Sequence, residues 1–287
     1  MAQNTIAVIF DFDDTLVPDS TTQLLQSRGI NIDEFWGREH KELLGNGYDA
    51  PHGYLKLILD RTIEGKEFFG LTNEHLYEFG STIEIYPGVK TLFRDLKKVA
   101  KEVDETITVQ FFVISGGLEE IIRGCEPIYK HLTGMWGCRL AAEQGDTKLK
   151  YIKNVITFTE KTRYLFEINK GISSEDTKTN PYLVNKNIEE KDRAIPFKNM
   201  IYVGDGLTDI PCFSLIQRER GYCFGILHRD KDGNPKRKVM KELLEPKRAM
   251  SLHSPKYGVK QDLGGVLRTT VAIIASKINV NSRQALQ

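Results

Sequence analysis

Asp11-Phe12-Asp13-Asp14-Thr15 follows directly on the apolar run at residues 5–10. An uninterrupted apolar run that ends in acids reads as a buried strand running into a polar edge. Side chains alternate along a strand, so Asp11 and Asp13 leave its end on the same side. Two carboxylates so close repel each other. They make chemical sense together if a divalent cation sits on them, or if one is a nucleophile and the other carries protons. An EF-hand reading of residues 11–22 fails, because its sixth position is Leu16 instead of Gly and its twelfth is Thr22 instead of Glu.

Working outward, three more apolar runs, 109–114, 200–203 and 222–226, share the unalternating pattern of strands covered on both faces. Helical patterns lie between them. Residues 89–99 follow Pro87-Gly88 with Val89, Leu92, Phe93 and Leu96 on one face, residues 118–123 follow Gly116-Gly117, and residues 164–169 end at Lys170-Gly171. Strand-then-helix repetition predicts an α/β fold, a three-layer, Rossmann-like core with a mostly parallel sheet. Residues 17–85 break the rhythm. They hold no strand pattern and are too long for a βα loop, so they read as an inserted module of about four helices. The predicted division is 1–16 core, 17–85 helical insertion and 86–287 core, with joints at Val17-Pro18-Asp19 and residues 83–87. A second insertion, 173–196, carries Asn180-Pro181 and a charged run at 189–193, and reads as a surface excursion.

Composition narrows the function classes. The 287 residues are 40% apolar and 28% charged, with a formal net charge of +1. That balance gives no field to attract nucleic acid or an acidic membrane surface. The densest basic run, Lys236-Arg237-Lys238, reads as solvated. Cys125, Cys138, Cys212 and Cys223 form no CxxC pair, so no zinc site is expected and each thiol reads as a small packed side chain. The first residues lack the charged and apolar parts of a signal peptide, and no run approaches the ~18 apolar residues of a membrane span. A cytoplasmic protein is the expectation.

Three further stretches bear chemistry. Val113-Ile114 leads into Ser115-Gly116-Gly117 ahead of a helix, which places a hydroxyl and free N–H groups where an anion binds, or lets Ser115 cap that helix. Gly204-Asp205-Gly206-Leu207-Thr208-Asp209 follows the third strand, so Asp205 projects from the carboxyl edge, where open α/β sheets bind ligands. A plain turn explains its glycines but not the second acid. Lys161, just before the 164–169 helix, means nothing by itself, since a lone lysine is usually solvated. No P-loop occurs, and Gly204-Asp205-Gly206 lacks the third glycine of a dinucleotide site.

The ordered set Asp11-x-Asp13-x-Thr15, Ser115, Lys161 and Gly204-Asp205-x-x-x-Asp209 resembles the haloacid dehalogenase superfamily of phosphohydrolases, over most of the chain. Residues 17–85 fall where that superfamily inserts a helical C1 cap, and Trp136-to-Glu143, Lys161 and residues 204–209 follow the order of its phosphoserine-phosphatase-like branch. The resemblance implies a phosphatase acting on a small phosphorylated metabolite. Asp11 is implied as the nucleophile that forms an aspartyl-phosphate, and Asp13 as the proton donor and acceptor. Thr15 is implied to brace the Asp13 loop. Mg²⁺ is implied between Asp11, the backbone carbonyl of Asp13 and Asp205. Ser115, the Gly116 N–H and Lys161 would bind the phosphoryl group, and Asp209 would orient Lys161 or a metal-bound water.

Two features depart from that branch. Ser20 stands where phosphoserine phosphatases have a Glu, which puts phosphoserine in doubt, and the stretch after Lys170 is longer. Lys170 is a rival to Lys161, but its place at a helix end suits a C-terminal dipole partner better. Asp19, Trp36, Arg38, His40, Tyr48 and Arg61 are candidates to line the cap, with packing or surface roles as the alternative. A phosphotransferase or mutase with the same intermediate, or a non-catalytic phospholigand-binding scaffold, are the competing readings. Neither nucleic acid nor membrane is an expected partner, and the oligomeric state is left open.

Overall fold

The computed structural model describes residues 3–228 and 248–284. The basic run Lys236-Arg237-Lys238 lies outside the described residues. Among those described, seven strands form one sheet: β1 (Thr5–Phe10), β2 (Thr108–Leu118), β3 (Gly134–Ala142), β4 (Leu149–Asn154), β5 (Met200–Gly204), β6 (Tyr222–Ile226) and β7 (Ser251–His253). Their order is β4-β3-β2-β1-β5-β6-β7, and every pairing is parallel except β3 with β4. Ile6 to Phe10 are fully buried, because a central parallel strand is covered on both faces.

The register positions the site. Phe10 pairs with Val113 of β2 on one side and Val203 of β5 on the other. Asp11, Ser115 and Asp205 therefore leave three adjacent strands at one level of the carboxyl edge. Asp11 N–H continues the ladder by donating to the Val203 carbonyl at 2.8 Å.

Helices cover both faces. α6 (Val89–Val103) buries Val89, Leu92, Phe93, Leu96, Val99 and Ala100, an amphipathic stripe with helical spacing, and runs four residues beyond the predicted end. α7 (Glu119–Gly124), α8 (Glu126–Tyr129), α9 (Glu160–Lys170), α10 (Ser174–Thr179), α11 (Ile210–Arg218) and α12 (Asp262–Gln284) complete the core. The sequence reading contains no run long and apolar enough to span a bilayer, yet α12 passes that test by length and composition. It buries one face, including Leu263, Leu267, Val271, Ile274 and Ile278, and ties to the loop after α6 by an Asn279–Asp104 hydrogen bond of 2.8 Å.

Residues 17–85 hold no strand, only helices and two residues in isolated bridges, Val17 with Asp13 and Thr72 with Lys148. The helices are α1 (Ser20–Ser27), a continuous stretch made of α2 (Ile32–Glu34), a π-turn at Phe35–His40 and α3 (Lys41–Gly45), then α4 (Ala50–Leu59) and α5 (Asn73–Gly80). Asp19 caps α1 by accepting the Thr22 N–H at 2.6 Å. The 173–196 stretch is mostly exposed, as expected of an excursion, and contains α10 and short 3₁₀ turns. It is pinned down by Lys170, whose Nζ donates to the Val184 and Lys186 carbonyls at 2.6 and 2.8 Å.

Candidate active site

Asp11 is buried, and Lys161 reaches it from the first turn of α9. The helix begins earlier than the sequence pattern indicates, so Lys161 is a helical residue and not a loop residue. Its Nζ donates to Asp11 Oδ2 and to Asp209 Oδ1, both at 2.7 Å. Asp209 is held in turn by the Tyr202 hydroxyl at 2.7 Å and by the Gly206 N–H at 3.1 Å. Burial disfavours the charge on Lys161, but the two carboxylates outweigh it and leave the ammonium more basic than usual. Lys170, the rival, binds carbonyls of the excursion instead.

The Asp11 carboxyl is pushed up to about 6, by burial first, with Lys161 opposing and Asp209 adding. Asp13 lies in a different setting. Its Oδ1 accepts the Ser20 N–H at 2.7 Å, and the Ser115 hydroxyl stands 3.5 Å from Oδ2. Burial and then the neighbouring Asp19 carboxylate raise it to about 8. Two acids with one residue between them thus titrate differently, because one has an ammonium partner and the other does not.

Ser115 and Gly116 correct the sequence reading. The 118–123 helix begins at Glu119, and Ser115-Gly116-Gly117 belong to the irregular end of β2, where the register with β3 shifts. Ser115 therefore does not cap that helix, and its hydroxyl and the Gly116 N–H stand at the strand end and not at the helix N-terminus. The Ser115 Oγ instead accepts the Gly117 N–H at 2.9 Å. A Cβ on Gly117 would stand 2.3 Å from Asp13 Oδ2, so a larger residue there would displace that carboxylate.

Thr15 supports the loop differently from the expectation. Its N–H donates to the Phe12 carbonyl at 3.3 Å and its carbonyl accepts the Tyr257 hydroxyl at 2.6 Å, while its own buried hydroxyl has no partner.

Asp11, Asp205 and Asp209 each bring a carboxylate oxygen within 4.8 Å of the others. Burial, then Asp11 and Asp209, push the Asp205 carboxyl well above its usual range. Hard oxygen donors crowded against their own repulsion fit a hard divalent cation. Asp209 is already committed to Lys161, Tyr202 and Gly206, and among the described residues nothing donates to Asp205. Asp13 does not bring its carboxylate to this group, consistent with a contribution through its backbone only.

Two residues near the site were missed from sequence. Tyr54 of α4 donates its hydroxyl to the Gly116 carbonyl at 2.6 Å, and the Cys138 Sγ approaches the same oxygen at 3.1 Å. Burial keeps the Tyr54 phenol protonated, so it stays a donor. Nothing marks Tyr54 in sequence, where it reads as one more apolar-face residue of a helix. His228 places a ring nitrogen within 4.8 Å of carboxylate oxygens of Asp14 and Asp205, and its Nε2 is 2.6 Å from the Asp14 carbonyl. Its signal was available, a polar residue just past the end of β6.

Of the residues proposed to line the cap, Asp19 approaches Asp13 and caps α1. Trp36 donates to Thr22 Oγ1 at 2.9 Å, His40 meets the Ala50 carbonyl at 2.8 Å and Arg61 pairs with Glu39 at 2.5 Å. Arg38, paired with Glu34, and Tyr48 are exposed or nearly so. The side-chain contacts of Trp36, Arg38, His40 and Arg61 stay within the helical module.

No protein-family profile matches the chain. An uncharacterized protein of Borreliella burgdorferi is 28% identical over 259 residues, covering 82% of this chain and 87% of that one. Among solved structures, a HAD family hydrolase of Salmonella enterica serovar Typhi aligns with a TM-score of 0.57 at 13% identity, over 93% of this chain and 71% of that one. A phosphoserine phosphatase of T. onnurineus aligns at 0.44 and 16% identity, covering 94% and 96% of the two chains, scores that add nothing to the comparison. The parallel sheet, the acids at its carboxyl edge and the alignment over nearly the whole chain agree: this chain has the haloacid dehalogenase fold.

Proposed function

We propose that the chain is a Mg²⁺-dependent phosphatase that hydrolyses a small phosphorylated metabolite through an aspartyl-phosphate. The observation that carries this reading is the contrast between Asp11, held by Lys161 at 2.7 Å, and Asp13, raised to about 8. A nucleophile must be ionised and a general acid protonated, and the two environments supply one of each near neutral pH.

In the first step, an Asp11 oxygen attacks phosphorus and the bond to the leaving oxygen breaks, while Asp13 gives that oxygen its proton. Asp13, now a carboxylate, takes a proton from the water that attacks the phosphoryl group. The phosphorus–Asp11 bond breaks and inorganic phosphate leaves. The Ser115 hydroxyl, the Gly116 N–H and Lys161 neutralise the phosphoryl oxygens, with Asp209 and Tyr202 holding Lys161 in place. Asp11, Asp205 and the Asp13 carbonyl would hold Mg²⁺, which supplies fixed positive charge opposite the transferring group. The helices of residues 17–85 serve as a cap over this edge, supported by the Tyr54–Gly116 hydrogen bond. Its cover keeps bulk water from competing with the chosen one.

The test is hydrolysis of p-nitrophenyl phosphate by the full chain. Activity is expected with Mg²⁺, is lost on chelation and returns when Mg²⁺ is restored. Undiminished activity after exhaustive chelation would refute the metal dependence, and no hydrolysis of this or a panel of phosphorylated metabolites would refute the phosphatase reading.

A further inference from the structure

A pocket of about 140 Å³ opens between α5, α7, the β3–β4 pair and α10. Its charged lining is unbalanced: Arg123, Arg139, Lys153 and Lys178 stand against Glu119 and Glu120. Both acids are already engaged. Buried Glu119 pairs with Arg123 at 3.2 Å and with Lys178 at 2.9 Å, and Glu120 lies 3.3 Å from Arg123. Lys178 also pairs with Glu175 at 3.0 Å. Arg139 and Lys153 are left over.

Arg139 is the stronger pointer. Its side chain is only 25% exposed, and its one ion pair among the described residues runs from Nε to Glu119 at 3.9 Å. Among the described residues no acceptor takes a hydrogen bond from this guanidinium. A polar group so far withdrawn from water ordinarily has partners, and the planar fork of an arginine matches an oxyanion.

The neighbouring strand adds a second, independent observation. Arg139 pairs with Asn154 and Leu140 with Ile152, so Lys153 is the extra residue of a bulge in β4. Bulges re-aim side chains. This one brings an ammonium to the wall of the pocket that Arg139 lines, and Lys153 has no carboxylate within ion-pair distance among the described residues. Like charges gathered across paired strands destabilise a sheet, and an anion held between them removes the repulsion.

From the unbalanced lining and the unsatisfied guanidinium we infer a second binding site, one that takes a small free oxyanion of the phosphate or sulfate type. Drug-sized ligands need roughly 300 Å³ or more, so the pocket suits the bare anion and not a larger molecule carrying it. The site adjoins the catalytic edge without being part of it: Cys138 lines the pocket, and its Sγ is 3.1 Å from the Gly116 carbonyl. The 173–196 excursion then has a purpose that the catalytic reading does not give it, since its α10 delivers Lys178.

Inorganic phosphate is the probe, titrated calorimetrically into the full chain with a chelator present, so that the acidic edge holds no cation to attract it. A single equivalent should bind. Arg139→Gln and Lys153→Gln should each weaken binding by about tenfold or more, the worth of one charge-assisted hydrogen bond, with the circular dichroism spectrum unchanged. Lys153 is exposed, so its substitution removes the charge without disturbing the core. Ser115→Ala, at the catalytic edge, should leave the affinity as it is. No binding, binding that neither of the first two substitutions weakens, or binding lost in Ser115→Ala alone would overturn the inference.

Discussion

Burial alone would strip the charge from both Lys161 and Asp13, and their neighbours resolve the two cases in opposite ways. Lys161 gains Asp11 and Asp209 and stays charged, whereas Asp13 gains Asp19 and is driven further toward its neutral form. The second case has a consequence for stability. A carboxyl raised to about 8 in the folded chain, against about 4 unfolded, binds more protons folded than unfolded across that window. Its contribution is therefore full below about pH 4 and is lost as the pH climbs toward 8; Asp11, raised to about 6, acts with the same sign. In the presence of a chelator, the thermal midpoint should fall between pH 5 and pH 8, and Asp13→Asn should flatten the upper part of that fall. A midpoint that rises over the range would contradict the assigned environments. At this scale the sequence was informative wherever an acid, hydroxyl or glycine followed an apolar run, which is how Asp11, Ser115 and Asp205 were found. Tyr54 acts through a hydroxyl at the end of an otherwise packing side chain, and no spacing rule separates that from a core tyrosine. Lys161 became meaningful only beside the other motifs, because its partners lie 150 and 48 residues away.

Among elements, α5 behaves differently from the insertion it belongs to in sequence. A Cβ on Gly124 of α7 would stand 1.9 Å from the Tyr77 carbonyl, and one on Gly80 would stand 2.2 Å from the Ile121 carbonyl. The two helices cross backbone to backbone, which only glycine permits. Just before α5, the Leu149 N–H donates to the Leu71 carbonyl at 2.8 Å, tying the same segment to β4. We expect any cap motion to involve α1 to α4, with α5 staying on the core, so that the joint predicted at residues 83–87 is not the one that flexes. Gly124→Ala should cost about 1–3 kcal/mol of stability in denaturant unfolding, although alanine favours an unconstrained helix by about 1 kcal/mol. A neutral or stabilising result would show that the crossing is loose. The elements that escaped the sequence reading share a physical reason. β3 is interrupted by Gly137 and Arg139, β4 is an antiparallel edge strand with Lys150 and Lys153 among its six residues, and β7 has only three. None presents the long apolar run that marked β1, β5 and β6.

For the whole molecule, one sheet edge gathers what five separated stretches of sequence supply. Phe10 pairing with both Val113 and Val203 sets Asp11, Ser115 and Asp205 side by side, and α9 returns Lys161 to the same level. The helical insertion meets this edge through Tyr54. The central claim is that Asp11 is the atom donor of a covalent phosphoryl intermediate. Its most direct test is the initial rate of p-nitrophenyl phosphate hydrolysis by purified Asp11→Asn with saturating Mg²⁺, against the wild-type chain. The amide fills the same space but cannot attack phosphorus, so the rate should fall by about a hundredfold or more with the circular dichroism spectrum unchanged. A folded Asp11→Asn chain that keeps more than about a tenth of the wild-type rate would contradict the account.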